Sequence, residues 1–425
     1  MLKAVILIGG PQKGTRFRPL SLDIPKPLFP VAGLPLIQHH IEACILLKDL
    51  KEILLVGFYP ANQIEPFVND MQQLYKISIK YLQEFVALGT AGGLFHFRDQ
   101  IRLGNPDGFF VLNGDVCADF QLTSLYEFHK KNTGSLASVM YTEATRQQSL
   151  NFGCMVIDKK TNEVTHYVEK PSSYVSSFIN CGIYIFSLDI FQIIGEVFSS
   201  KQNDVYNKLD NGNGNKETSH IQLEQDILAR LSGTGKFFGW HLDTWWSQLK
   251  TAGSAIYANR HYLGLYKKRP NKKSILHGKG DEPLCSIHPD VFIDPTAVID
   301  ASAVIGPNVS IGPGVHVGAG VRIHESIVLA NAVIEDHSLI LYSIIGTGSR
   351  VGKWARVEGT PTDPDPNKPF AKMENLPLFN KDGRLNPSIT ILGCRVSVPS
   401  ETILLNSIVL PHKELSRSIK NEIIL

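Results

Sequence analysis

From about residue 287 the chain repeats itself every six residues, and few folds can use that period. Val309, Val315, Val321, Ile327, Val333, Leu339, Ile345, Val351 and Val357 occupy one station of the repeat. Ile293, Ile299, Ile305, Ile311, Val317, Ile323 and Leu329 occupy a second, and Gly306, Gly312 and Gly318 keep the same step. A helix repeats every 3.6 residues, so a six-residue step wanders around its surface, and a strand or an isolated hairpin, which repeats every two, has no use for a period as long as six. A coil with three flat sides does. Each hexamer supplies one short strand and a corner, the aliphatic side chains stack inward, and Gly or Asn takes the bend. The pattern predicts a left-handed parallel β-helix over 287–425, an exception to the right-handed crossover rule.

The repeat breaks at Glu358–Pro387 and resumes from Ile389 to Leu410. The break carries prolines at 361, 364, 366, 369, 377 and 387 and the acidic run Thr362-Asp363-Pro364-Asp365-Pro366. The repeat on either side cannot absorb such an insertion, so it projects from the coil as a surface loop or as a partner-contacting arm. Asp363 and the apolar Phe370, Met373, Leu376, Leu378 and Phe379 suit the arm, because a loop meant only for solvent has little use for such a cluster.

Residues 1–265 have a different texture. Ala4–Ile8, Ile53–Phe58, Phe109–Leu112, Ser135–Tyr141 and Gly182–Phe186 read as buried strands, separated by segments of helical period such as Ile37–Leu47 and Leu122–Lys131. Alternating strands and helices predict a Rossmann-like α/β domain with a mainly parallel sheet, and residues 266–286 read as a linker. Ser199–Ser219, with Asn211-Gly212-Asn213-Gly214-Asn215, reads as a polar surface excursion. Bulk properties exclude several classes. A formal net charge of +2 gives no electrostatic reason to expect nucleic acid or a membrane surface. No stretch approaches the length of a membrane span, and the apolar start runs into a Gly loop instead of a cleavage site. The six cysteines are scattered without a Cys-x-x-Cys pair, as expected of core thiols in a reducing cytoplasm.

Ligands in such sheets sit beyond the C-terminal strand ends, and the chemistry-bearing loops follow strands. Gly9-Gly10-Pro11-Gln12-Lys13-Gly14-Thr15-Arg16-Phe17-Arg18-Pro19-Leu20 offers backbone N–H groups to phosphate, with Arg16, Arg18 and Lys26 as cations. Glu84 opens a loop whose small residues Gly89-Thr90-Ala91-Gly92-Gly93 admit a flat ring close to the backbone. Asn113-Gly114-Asp115 ends an apolar strand, where Asp115 is either a turn residue or a metal ligand. Val168-Glu169-Lys170-Pro171 and Asn180-Cys181-Gly182-Ile183-Tyr184 add polar groups suited to a sugar and its phosphate.

In this order these motifs resemble the GDP-mannose pyrophosphorylase (mannose-1-phosphate guanylyltransferase) family, hexapeptide domain included. The resemblance implies a GDP-mannose site made by Gly9, Gly10, Glu84, Gly89, Asn113, Asp115, Glu169, Lys170, Asn180 and Gln248. Two departures bear on catalysis. Catalytic members place one residue between Gly-Gly and Gly-Thr-Arg, whereas this chain has Pro11, Gln12 and Lys13, and proline lacks an N–H. Catalytic members also read Trp-x-Asp-(Ile/Val)-Gly where this chain has Trp246-Ser247-Gln248-Leu249-Lys250, so Gln248 replaces the second magnesium ligand. Arg16, Lys26 and Asp115 are then remnants of a catalytic set. Asp115 alone is a weak magnesium site, and no cofactor is required.

Both departures and the arm point to the regulatory, alpha-type branch of the family. That branch implies a pseudo-enzyme that binds GDP-mannose, self-associates, and conveys feedback inhibition to a catalytic beta subunit. Two alternatives stand beside it. One is an active guanylyltransferase using Arg16, Lys26 and an Asp115-bound metal. The other is a hexapeptide acyltransferase with His288, His316, His324 or His337 between coils.

Overall fold

The structure is a computed structural model that describes residues 1–12, 14–210, 220–268, 285–374 and 377–425, without the side chains of 203–210. Two compact units interleave along the chain. Met1–Gly10, Ile37–Ser247 and Pro364–Lys372 form the first; Pro11–Leu36, Gln248–Asp363 and Met373–Leu425 form the second. The sequence places 11–36 and 248–265 with the nucleotide-binding domain, whereas their contacts group them with the coil.

The first unit is built on a nine-stranded sheet. Its central strand, Leu2–Gly9, is apolar almost throughout because neighbouring strands and covering helices bury it on both faces. Leu50–Gly57 and Gly108–Asn113 flank it in parallel, and Ser78–Gln83 extends the parallel set. Beyond Gly108–Asn113 the direction reverses: Phe178–Phe186 runs antiparallel to it and carries Ala137–Glu143 and Gly153–Ile157. Three loops therefore leave the same sheet edge, after Gly9, after Gln83 and after Asn113. Within the expected surface excursion 199–219, residues 199–210 belong instead to the helix Ile190–Asp210. Its apolar Ile190, Phe191, Ile194 and Val197 recur at helical spacing and are buried, so the helix outruns the onset of polar sequence. Residues 211–219 lie outside the described residues.

The second unit stacks short strands into three parallel sheets of seven, seven and five strands, as expected for the β-helix. The step per coil is not constant. Val298 pairs with His316, eighteen residues on, but His316 pairs with Val333, only seventeen on. The later coils up to Ile408 keep this step of seventeen apart from the insertion, with one side five residues long, and the last step is fifteen, from Leu404 to Ile419. The inward ladder runs Ile305, Ile311, Val317, Ile323, then Val328, Ile334, Ile340, then Ile345, Val351 and Val357. The nine-member six-residue station therefore drifts across the ladder. Val309, Val315 and Val321 point inward two positions earlier than the ladder residues, Val333 and Leu339 are partly exposed, and Ile345 rejoins the ladder two slips later. Serines fill some inner positions without orphaned hydroxyls: Ser326 Oγ donates to His324 O at 2.6 Å and accepts from Ser343 N of the next coil at 3.1 Å.

The insertion leaves the coil where Ser343 pairs with Thr390, a step of 47 residues instead of 17. Its start is tied within the second unit. Thr362 N donates to Tyr257 Oη at 2.5 Å, and Asp363 accepts from Arg260 at 3.0 Å, a guanidinium shared with Glu325 at 3.1 Å. Residues 364–372 belong to the first unit. There the Gln148 side chain pairs with the Lys372 backbone in both directions, Nε2 to O at 2.6 Å and N to Oε1 at 2.8 Å. Lys372 Nζ donates to Thr142 Oγ1 at 3.2 Å. Farther along, Phe379 bridges Leu385, and Asn380 closes a tight hairpin by accepting on Oδ1 from Arg384 N at 2.9 Å.

Candidate functional site

In the first unit the expected loops converge at one sheet edge. Phe58 N donates to Gly9 O at 2.7 Å, Glu84 N to Gly57 O at 2.7 Å, and Gly114 N to Leu7 O at 2.9 Å, so four strand ends are laced together by backbone bonds. Asn113 O accepts from Nε2 of the fully buried His40 at 3.2 Å, which fixes the carbonyl ahead of Asp115. Asp115 itself is half-buried.

Two glycines are needed where the sequence places them. Gly89 has φ +84°, and a Cβ there would lie 2.2 Å from Ile221 O. A Cβ on Gly93 would lie 2.3 Å from Glu84 Oε1, so the small residue makes room for the Glu84 carboxylate. Burial and then the Glu84 charge push the Tyr81 phenol above its ordinary range, so it stays neutral and donates to Tyr59 O at 2.6 Å.

A second polar group assembles around Asn180, which is 8% exposed. Its Nδ2 donates to Tyr167 Oη at 3.0 Å and to Tyr184 Oη at 2.7 Å, and its Oδ1 accepts from Gly182 N at 2.8 Å. Tyr167 donates onward to Glu169 Oε2 at 2.9 Å. Glu224 accepts from Thr90 Oγ1 at 3.4 Å. Burial, with Glu169 adding its charge, raises the Glu224 carboxyl above the usual carboxylate range. Lys170 Nζ lies 3.7 Å from Glu169 and its side chain is 65% exposed. The sequence reading misses Glu224 and Tyr167, and names Tyr184 only within its motif. Glu224 lies on a short π-helical stretch, Leu223–Leu228, where nothing in Gln222-Leu223-Glu224-Gln225-Asp226 marks one acidic residue above the other.

Arg16, Lys26 and Gln248 belong to the second unit. Gly14 takes φ +78° and opens the single turn Thr15–Phe17, leaving Arg16 and Arg18 exposed. Lys26 Nζ lies 5.9 Å from the centre of the Phe17 ring. Arg16 and Arg18 line a cavity of about 380 Å³, with Leu378 and Leu385 of the arm and Ile391 and Ile408 of the coil. Part of the arm's apolar surface is thus used within its own chain: Leu385 is buried, while Phe370, Leu378 and Phe379 stay about half exposed. Met373 is half-buried, and Leu376 lies outside the described residues. Gln248 has its Oε1 buried with no hydrogen-bond partner among the described residues. Among those residues no group of three or more His, Cys, Asp or Glu side chains is placed to hold a metal ion. That donor set does not fit a carboxylate-bound magnesium. On the coil, His337 stacks on Trp354 at 4.3 Å and the His288 and His324 rings lie 6.4 Å apart. All six cysteines are free thiols.

Comparison with known proteins agrees along the whole chain. The nucleotidyl transferase family matches residues 3–222, and the family described as the GMPPB C-terminal domain matches 287–425. A Drosophila melanogaster protein named mannose-1-phosphate guanylyltransferase regulatory subunit alpha is 66% identical, with 100% of both chains covered. Homo sapiens and Danio rerio proteins, named regulatory subunit alpha and alpha-A, are 55% and 57% identical over 100% of both chains. A solved structure from Bacillus anthracis, assigned as a glucose-1-phosphate thymidylyltransferase, has a TM-score of 0.50 at 23% identity. It covers 61% of this chain and 94% of its own, and shows the fold alone. No described helix is long and apolar enough to cross a membrane. With a nucleotidyltransferase-type sheet, a coil of parallel strands, and likeness to such relatives from end to end, this chain belongs to the family of mannose-1-phosphate guanylyltransferase regulatory alpha subunits.

Proposed function

We propose that this chain binds GDP-mannose without turning it over and conveys its presence, as feedback inhibition, to a catalytic beta subunit in the cytoplasm. The observation that carries the reading is Gln248. It stands where the resemblance puts the second magnesium carboxylate, and its buried Oε1 has no hydrogen-bond partner among the described residues. A neutral acceptor in that state suits a ligand hydrogen bond better than a dication. The altered phosphate loop supports the same reading, because Pro11 removes an N–H from the cradle. Gly9, Gly10, Glu84, Gly89, Asn113, Asp115, Glu169 and Lys170 remain the proposed ligand contacts.

The test is calorimetry of the purified chain with GDP-mannose, GTP and UDP-sugars, followed by single-turnover assays with GTP, mannose 1-phosphate and Mg²⁺. Saturable GDP-mannose binding without product is expected. Product formed by partner-free protein at about 1 per second or faster, an ordinary enzyme rate, would overturn the reading.

A further inference from the structure

A column of isoleucines runs along the outside of one sheet of the coil. Ile327 pairs with Ile344, Ile344 with Ile391, Ile391 with Ile408, and Ile408 with Ile423. Their strand neighbours Val328, Ile345, Leu392 and Val409 stand in the inward ladder, so the isoleucines face away from the core. An apolar stripe on an outer face needs a cover. Over Ile327, Ile344 and Ile391 the cover is complete, for these are 1%, 0% and 4% exposed. Ile408 and Ile423 are partly exposed, and they line the cavity of about 380 Å³ that Leu378 and Leu385 of the arm also line. That volume lies within the range of small-molecule pockets, about 300–1,000 Å³. Every described lining residue belongs to the second unit, and none is a proposed GDP-mannose contact.

The polar part of the lining is cationic. Arg16 and Arg18 are exposed, and among the described residues neither guanidinium has a hydrogen-bond or ion-pair partner. Phe17, between them, is fully buried with its ring 5.1 Å from that of Phe29, edge to face, so both side chains spring from a pinned turn. Glu374, which is exposed, is the single acidic side chain among the described lining residues. A guanidinium matches the two oxygens of a carboxylate or phosphate, and an isoleucine wall matches hydrocarbon. We propose that this cavity is a binding site for a small amphipathic anion, its apolar chain against Ile391, Ile408 and Ile423 and its phosphate or carboxylate on Arg16 and Arg18. Because Leu378 and Leu385 share the lining, the occupant also holds this part of the arm against the coil.

The test is calorimetry on the full chain with octyl phosphate and octanoate below their micellar concentrations, against octanol and inorganic phosphate. One saturable site for at least one of the two anions is expected, and the tighter of them identifies the head group. Octanol, which lacks the charge, and inorganic phosphate, which lacks the chain, should each bind roughly tenfold more weakly or worse. Arg16→Gln combined with Arg18→Gln should weaken the anion by roughly tenfold or more, with the octanol affinity and the melting temperature unchanged. Saturating GDP-mannose should leave the anion's affinity as it was. Hydrogen exchange should slow across residues 378–389 when the anion binds. The inference is overturned by no saturable anion binding, by equal affinity for inorganic phosphate, or by full affinity in the double variant. Displacement by GDP-mannose, or unaltered exchange in the arm, would overturn it as well.

Discussion

At the residue scale, burial and hydrogen-bond capacity separate groups that the sequence leaves equal. Glu84 keeps a carboxylate against Gly93 at the edge where the loops converge, so Glu84→Ala removes a charged acceptor from a partly closed site. A loss of about 1–3 kcal/mol is expected, read as roughly tenfold or weaker GDP-mannose binding by calorimetry. His129 answers a different question. It is buried, its Nδ1 lies 2.8 Å from Ser138 Oγ, and burial lowers its pKa to about 4. A histidine held neutral by the fold contributes its full stability above the unfolded value near 6.5, and loses it as pH falls toward 4, because the unfolded chain takes the proton first. Lowering the pH from 7.5 to 5 should therefore depress the melting temperature, and His129→Gln should shrink that drop. His261, also lowered to about 4 by burial, contributes in the same direction. An identical drop in the variant would remove His129 from the account.

At the element scale, the period of the coil is legible in the sequence but its slips are not. Each short strand carries two or more aliphatics within three neighbouring positions, so a strict step of six finds nine of them even while the inward register moves by two residues. Ile334 and Val333 decide between the two descriptions. Ile334 is 1% exposed in the inward ladder, and Val333 is partly exposed beside it. Ile334→Ala should cost about 2–5 kcal/mol of coil stability and Val333→Ala much less, measured by thermal unfolding. Equal costs would favour the strict repeat. The arm was legible as an insertion from its prolines, but its attachments were not, because Gln148, Arg260 and Tyr257 carry no sequence mark of a distant partner. Its exposed Phe370, Leu378 and Phe379 still support docking on a neighbour. Replacing Asp363–Asn386 by a short Gly-Ser bridge should leave GDP-mannose binding intact and reduce inhibition of the catalytic partner. Inhibition at full strength after the deletion would make the arm passive.

At the scale of the whole molecule, the candidate ligand loops announce themselves because glycines and cations suited to phosphate follow strands, whereas Glu224 enters from a stretch without a motif. The residues on which the proposed loss of catalysis rests are likewise dispersed: Asp115 belongs to the first unit, and Pro11, Gln12 and Gln248 to the second. A single repair should therefore fail. Gln248→Asp is expected to remain inactive, with product from GTP and mannose 1-phosphate appearing only when Pro11 and Gln12 are also deleted. Activity from the point substitution alone would show that the loop spacing is harmless.

The interleaving of the two units also limits how such a chain can diversify. The backbone passes from one compact unit to the other five times, at residues 10, 36, 247, 363 and 372. No single cut yields either unit whole. A module bounded by one junction can be traded between genes by one recombination event, but a unit assembled from three separated segments cannot. Regulatory and catalytic versions of this architecture would then arise by duplicating the entire chain and altering it in place, with small insertions and substitutions as the available changes.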